Sequence, residues 1–224
     1  MDEATAAEAG GKQFLADAAR HLHAPVSSIQ DGVQALLYGS VGEERERLLA
    51  GLVREAARGA RLVTSLLRLA RLDAGEQLAP APCDLVGVCT TQADRIRLRS
   101  PHLLVHFLAQ PPLPAAPHLD GQAVREILTE LLDNARRHAT SRIIVNVAAP
   151  DDRVEIRVCD DGPGLPAGTA ERAFDRFTSF DGLEGPGLGL SIARELARLH
   201  GGDLHYEDGA FVLRLPVQLE APPG

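Results

Sequence analysis

Apolar residues recur at spacings of three and four through Phe14, Ala18, Leu22, Pro25, Ile29, Val33 and Leu36. That period places them on one stripe of an α-helix. Gly39-Ser40-Val41-Gly42 interrupts it. A second stripe runs through Leu48, Leu52, Ala56, Gly59, Val63, Leu66 and Ala70, and Gly75 stands where a helix would stop. Two long helices with one narrow stripe each cannot enclose a core alone. The pattern therefore predicts a helical hairpin over residues 12–76 that pairs with a second copy as a homodimeric four-helix bundle. Residues 1–11 read as an N-terminal tail.

Leu78-Ala79-Pro80-Ala81-Pro82 breaks the helical period, and residues 77–82 read as a linker between two domains. His102 to Leu108 suits a strand, and a Pro-rich connection follows from Pro111 to Pro117. Asp120 to His138 is a helix with Val124, Ile127, Leu128, Leu131 and Leu132 on one side. Ile143 to Ala148 and Val154 to Asp160 alternate as strands do, and Ser191 to Leu199 is helical. Asp203 to Glu207 and Ala210 to Leu215 form a hairpin around Asp208-Gly209. This order predicts an α+β domain over residues 83–219, with helices on one face of a mixed sheet, and a tail at 220–224.

Charge and composition narrow the function. The 224 residues hold 23 Lys and Arg against 31 Asp and Glu, a net charge of −8 without a basic block. Nucleic-acid binding needs clustered cations to neutralise phosphate, so no nucleic-acid partner is expected. A hydrophobic fraction of 45% is ordinary for a globular chain. No apolar run nears the roughly 18–20 residues of a membrane span, so no membrane contact is expected from these residues. The start, Met1-Asp2-Glu3-Ala4, lacks a secretion-signal layout. Cys83, Cys89 and Cys159 are odd in number and form no Cys-x-x-Cys pair. A reducing, cytoplasmic setting is expected.

Four segments of the second domain make chemical sense together. Glu130 and Asn134 lie four apart on one helical face, where an amide oxygen could ligate Mg²⁺, a cation that prefers oxygen donors. Asp160-Asp161-Gly162-Pro163-Gly164 follows a strand directly. A carboxylate there can accept from an exocyclic amine such as adenine N6, and the glycines let backbone approach a flat base. Gly185-Pro186-Gly187-Leu188-Gly189-Leu190-Ser191 opens a helix, whose uncovered N–H groups and positive end favour phosphate. Phe174-Asp175-Arg176-Phe177 lies between the second and third.

Their order and spacing resemble the N, G1, F and G2 boxes of bacterial two-component sensor histidine kinases, members of the ATPase superfamily that includes gyrase and mismatch-repair proteins. The resemblance spans about residues 118–215. It implies an α/β sandwich that binds ATP and Mg²⁺. Asn134 would hold Mg²⁺, and Asp160 would read adenine with Gly162 and Gly164 framing the base. Gly185, Gly187, Leu188 and Gly189 would bracket the triphosphate. Arg137 matches a basic residue near the phosphates, His138 a ring beside the nucleotide, and Phe177 the aromatic of the F box. Residues 166–184 would be a lid over ATP, short for the family, with Ser179 where many members have Arg. Glu130 stands where many kinases have Asn and the ATP-hydrolysing relatives a general base.

The hairpin resembles the family's dimerisation and phosphotransfer domain, with signature Phe-x-x-x-x-Ser-His-Glu-Leu-Arg-Thr-Pro-Leu. Phe14, Leu22 and Pro25 align without gaps. Arg20 then stands at the phosphoacceptor His, His21 at the Glu, His23 at the Arg and Ala24 at the Thr. A guanidinium is permanently charged and offers no lone pair, so Arg20 cannot be the nucleophile. His21 is adjacent to it, and His23 shares its helical face one turn along. The sequence leaves His21, His23 or neither as acceptor. The expected activity is transfer of phosphate from ATP to a protein histidine and on to a response-regulator aspartate. The alternatives are a degenerate nucleotide-binding regulator acting through dimer and partner contacts, and a simple ATPase using Glu130.

Overall fold

The computed structural model describes residues 3–39, 41–180 and 187–217, with side chains for Phe14 and from residue 16 onward. Helices α1 (Glu3–Leu37) and α2 (Gly42–Asp73) form the hairpin. α1 starts well before residue 12, so residues 3–11 extend the helix and are not a tail. Pro25 lies inside α1 without ending it. Its ring packs near Gly59 of α2, where a methyl group would be in ordinary contact with it at 3.9 Å. α2 ends where Gly75, at φ +80°, turns the chain.

The apolar positions of α2 divide between two neighbours. Leu62, Leu69 and Leu72 are fully buried, whereas Val63 and Ala70 of the expected stripe are exposed. The three buried leucines join the core of the second domain. The C-terminal half of α2 thus serves that domain, a use of its face that helical periodicity could not show. Arg68 fixes the docking. Its Nε donates to both carboxylate oxygens of Glu126 at 2.7 and 2.9 Å, and it also pairs with Glu76.

The segment expected as linker carries strand β1 (Ala81–Pro82). Next comes α3 (Leu85–Arg99), which the sequence reading left unassigned because its apolar positions form a weak stripe. Then follow β2 (Leu104–Ala109), β3 (His118–Leu119), α4 (Gly121–His138), β4 (Arg142–Ala148), β5 (Arg153–Asp160), α5 (Gly189–Leu199), β6 (Asp203–Glu207) and β7 (Ala210–Pro216). β1 pairs with β3. The main sheet runs β2-β4-β5-β7-β6, with β2 and β4 parallel and the other neighbours antiparallel.

Ile143, Val145 and Val147 alternate inward on β4, as do Val154, Ile156 and Val158 on β5. They meet the buried face of α4, from Val124 through Leu132, and Ile192 and Leu196 of α5. The opposite face of the sheet carries ion pairs instead, such as Arg214 on Glu155 at 2.8 Å and Arg157 on Glu207 at 2.9 Å. The fold is the expected α+β arrangement.

Asp120 caps α4 by accepting from the N–H groups of Gln122 and Ala123 at 2.9 and 3.0 Å. Ala79 N donates to the same carboxylate at 2.8 Å, tying the interdomain segment to the cap. Burial pulls the Asp120 pKa upward, but these three donors outweigh it and hold the carboxyl below its ordinary value. His200, wholly buried, lies beneath this cap. Its Nδ1 is 2.8 Å from Leu196 O, and its Nε2 accepts from Asp120 N at 3.3 Å. Both ring nitrogens are used in the neutral state, so His200 is a structural histidine.

Candidate functional site

α4 presents its apolar face to the sheet and thereby turns Glu130, Asn134 and Arg137 the other way. β5 ends at Asp160, next to the C-terminal end of α4. Between them and the start of α5 opens a cleft. Asn134, Arg137, His138, Asp160, Gly164 and Gly187 all line it. Residues from three of the four segments, far apart in the chain, therefore converge on one cleft, whereas none of Phe174 to Phe177 lines it.

The adjacent aspartates have separate tasks. Asp161 accepts from the N–H groups of Thr140, Ser141 and Arg142, and from Ser141 Oγ at 2.6 Å. The Ser141 hydroxyl and these N–H donors hold its carboxyl well below the usual range. Asp161 pins the turn after α4. Asp160 accepts from Gly162 N at 2.9 Å and lines the cleft. Burial pushes its pKa up, against the Gly162 N–H and nearby His138, which pull it down.

Gly162 is required by contact. A Cβ there would meet His138 O at 2.3 Å and Asp160 Oδ1 at 2.6 Å. Gly189 is the first residue of α5, where a Cβ would fall 2.1 Å from Glu130 Oε2. A side chain there would require the Glu130 carboxyl to shift.

Burial pushes the Glu130 carboxyl up to about 7, with Asp133 adding to the effect and Arg137 opposing it. A carboxyl raised in the folded state contributes stability that is complete below its ordinary value and lost as pH rises through about 7. Glu130→Gln should therefore stabilise the chain more at pH 8 than at pH 5, by about 2 kcal/mol. Urea unfolding at the two pH values reads this, and a pH-independent difference would contradict the raised pKa.

Several cleft residues escaped the sequence reading. Tyr206 and Phe211 come from the last hairpin, their rings 5.0 Å apart, and the Tyr206 hydroxyl accepts from Leu165 N at 3.2 Å. Phe180, Thr178 and Leu190 also line the cleft. Tyr206 and Phe211 sit in strands whose role is set by the hairpin, whereas Thr178 and Phe180 fall within the segment expected as a lid and Leu190 within the glycine-rich segment. Ser179 lines the cleft as well.

Other expected residues lie elsewhere. Phe177 is not among the cleft residues. It adopts φ +62°, uncommon for a bulky side chain, and packs on α1. Its ring stacks on His21 at 4.8 Å with planes 10° apart, and tilts against Phe14 at 5.8 Å. Arg176 beside it makes a bidentate pair with Asp73, at 2.7 and 3.0 Å, and sits 5.2 Å from the Phe14 ring. Phe177 is thus a clasp between the domains, held by the half-buried rings of Phe14 and His21. Leu188 is fully buried beneath the start of α5, where its carbonyl accepts from Ser191 Oγ at 2.8 Å. Its apolar side chain belongs to the core, not to a phosphate. Gly185 lies outside the described residues.

Neither His21 nor His23 lines the cleft. His23 is exposed, with Nδ1 3.2 Å from Ser27 Oγ. Arg20 is exposed and pairs with Asp17 at 3.2 Å.

Two family models match the chain. The His Kinase A (phospho-acceptor) domain covers residues 12–75, and the histidine kinase-, DNA gyrase B- and HSP90-like ATPase covers residues 119–219. The chain belongs to the sensor histidine kinases, and corresponds to their catalytic core. The signal transduction histidine-protein kinase AfsQ2 of Streptomyces coelicolor is 33% identical over 96% of this chain and 43% of its own length. The chain spans less than half the length of the curated relatives it matches. Two solved structures share the fold. The Acinetobacter baumannii histidine kinase AdeS has a TM-score of 0.73 at 19% identity, over 88% of this chain and 96% of that one. Full-length ShkA in complex with AMPPNP has a TM-score of 0.69 at 24% identity, over 95% of this chain and 47% of that one. Among the described residues, no helix of this histidine-kinase core is long and apolar enough to cross a membrane.

Proposed function

We propose that this histidine-kinase core binds ATP with Mg²⁺ in the cleft and serves two-component signalling in the cytoplasm as a homodimer. Its own phosphoacceptor position is altered by Arg20. The observation that carries the reading is the convergence of Asp160, His138, Asn134, Arg137 and the start of α5 on one cleft.

The donor set fits the nucleotide. Asp160 can accept from a purine amine, and Leu165, Phe180 and Phe211 offer apolar surface to a base. Arg137 and the first turn of α5 favour phosphates. The Asn134 amide oxygen would hold Mg²⁺, which uses few protein ligands when phosphates supply the rest. Bound Mg²⁺ would neutralise charge on the phosphates.

In phosphotransfer an imidazole nitrogen attacks the γ-phosphorus, the bond to the ADP oxygen breaks, and the imidazole loses its proton. His21 and His23 are the imidazoles next to the acceptor position. A receiver aspartate of a response regulator would then take the phosphoryl group. A second reading, a nucleotide-binding regulator without turnover, is favoured by one specific observation. Arg20 cannot attack, and the nearest imidazole is stacked on Phe177. A third has Glu130 activating water as a simple ATPase; burial raises its pKa towards the range of a general base.

Incubation with γ-labelled ATP separates the readings. Acid-labile, base-stable label on protein marks the kinase, and free phosphate the ATPase. Nucleotide binding with neither product marks the regulator.

The dimer has its own support. Val26, Val33 and Leu37 on α1, and Val53 and Leu67 on α2, are large, apolar and at least 43% exposed in the single chain. A second hairpin would cover them, at roughly 25 cal/mol per Å². Light scattering is expected to give a dimer at tens of micromolar. A monomer, or a fragment of residues 83–224 that dimerises as well as the whole chain, would contradict it.

A further inference from the structure

A second cavity opens between α2 and the ATPase domain. Asn134, Arg137, Thr178 and Gly187 line both cavities, so the two adjoin. Their outer ends differ in chemistry. Asp160, Tyr206 and Phe211 line only the first. Arg61, Arg99, Arg136 and the carboxylates Glu130 and Asp133 line only the second. A purine placed at Asp160 therefore directs its phosphates past Arg137 towards an arginine-rich end.

The four guanidiniums at that end are not equivalent. Arg99 and Arg136 pair with Asp133 Oδ1 at 3.2 and 3.4 Å, and Arg137 Nε donates to Asp133 O at 3.1 Å. Arg61 makes no hydrogen bond or ion pair among the described residues. It is close enough to Arg137 for the two charges to repel. In a chain of net charge −8, four arginines share one cavity with two carboxyls. One of those, Asp133, is already engaged, and Glu130 is held towards its neutral form by burial. The segment facing the cleft from the other side contributes Thr178, Ser179 and Phe180, none of them charged.

We propose that Arg61 of the hairpin helix α2 contacts the terminal phosphoryl group of a nucleoside triphosphate held in the cleft. The inference rests on the nucleotide reading above and adds a residue from the other domain. The terminal phosphate then bridges the hairpin and the ATPase domain. By linkage, a triphosphate favours the docked hairpin more than a diphosphate does, by the same factor that docking favours triphosphate over diphosphate.

Calorimetry on the full chain with Mg²⁺ tests this, using AMPPNP as the non-hydrolysed triphosphate and ADP as the diphosphate. Arg61→Gln should lose about 10–100-fold in AMPPNP affinity, the worth of a charge-assisted contact, and keep ADP affinity within about twofold. Arg61→Lys, which keeps the charge but not the fork, should lose less than Arg61→Gln. Arg71→Gln, on the exposed side of the same helix, should change neither. Equal losses for both nucleotides, or no loss for either, would overturn the Arg61 contact and leave the cleft assignment standing. A native chain that binds neither nucleotide would remove the cleft assignment and the Arg61 contact together.

Discussion

Native chain incubated with γ-labelled ATP is expected to label weakly or not at all, and Arg20→His to restore labelling. The position is already suited to a nucleophile: residue 20 is exposed on α1, and among the described residues its side chain pairs with Asp17. The substitution replaces a permanent cation with an imidazole that has a free lone pair. A proton acceptor beside it is still missing. Arg20→His with His21→Glu should therefore exceed the single variant by about 10²–10⁴-fold, the usual worth of general-base assistance. The second change also removes the ring stacked on Phe177, a contact worth about 0.5–1.5 kcal/mol. Arg20→His with His21→Ala removes the ring without adding the acid and so separates the two effects. Equal labelling of the two double variants would assign the gain to release of the clasp. Strong labelling of the native chain would contradict the impaired acceptor, and His21→Ala and His23→Ala would then show which imidazole is used.

The second large effect is expected at the turn after β5. Asp160→Asn should weaken binding of an adenine nucleotide by about 100-fold or more. It removes a half-buried carboxylate acceptor and sets an amide N–H among groups that need an acceptor. Gly162→Ala should do at least as much. Its Cβ would meet a backbone carbonyl and the Asp160 carboxylate, neither of which can swing away as a flexible side chain would. Asp161→Asn is the contrasting variant. It faces the turn after α4, so urea unfolding should show lower stability while the folded fraction keeps its nucleotide affinity. If Asp160→Asn and Gly162→Ala both bind with native affinity by calorimetry, the purine end of the cleft is misassigned.

Cysteine reactivity should follow burial. Desolvation pushes the Cys89 thiol up to about 12, so it should resist alkylation in the folded chain and react only after unfolding. Mass spectrometry with and without denaturant reads this directly. Alkylation of Cys89 at the same rate in both would show that α3 opens readily.

Much of this protein was determined by its sequence alone. The period of three and four in α4 and α5, and the alternation in β4 and β5, reflect burial of one face against a layer, and a local pattern records that burial. Asn134, Asp160 and Gly162 were legible because each belongs to a short segment whose chemistry is complete within a few residues. Only the tertiary structure decided the rest, since those features depend on neighbours distant in the chain. Identical local spacing could not show that Leu62, Leu69 and Leu72 serve the ATPase domain's core, or that α3 is a helix with a weak stripe of its own. Nor could it show that Asp161, beside Asp160, pins the turn after α4 through the N–H groups of Thr140, Ser141 and Arg142. Phe177 and Leu188 sit inside nucleotide-binding segments yet face the hairpin and the core. Tyr206, Phe211 and Arg61 reach the cavities from elements that carry no recognisable motif, because a cavity wall is assembled by packing and leaves no period in the chain.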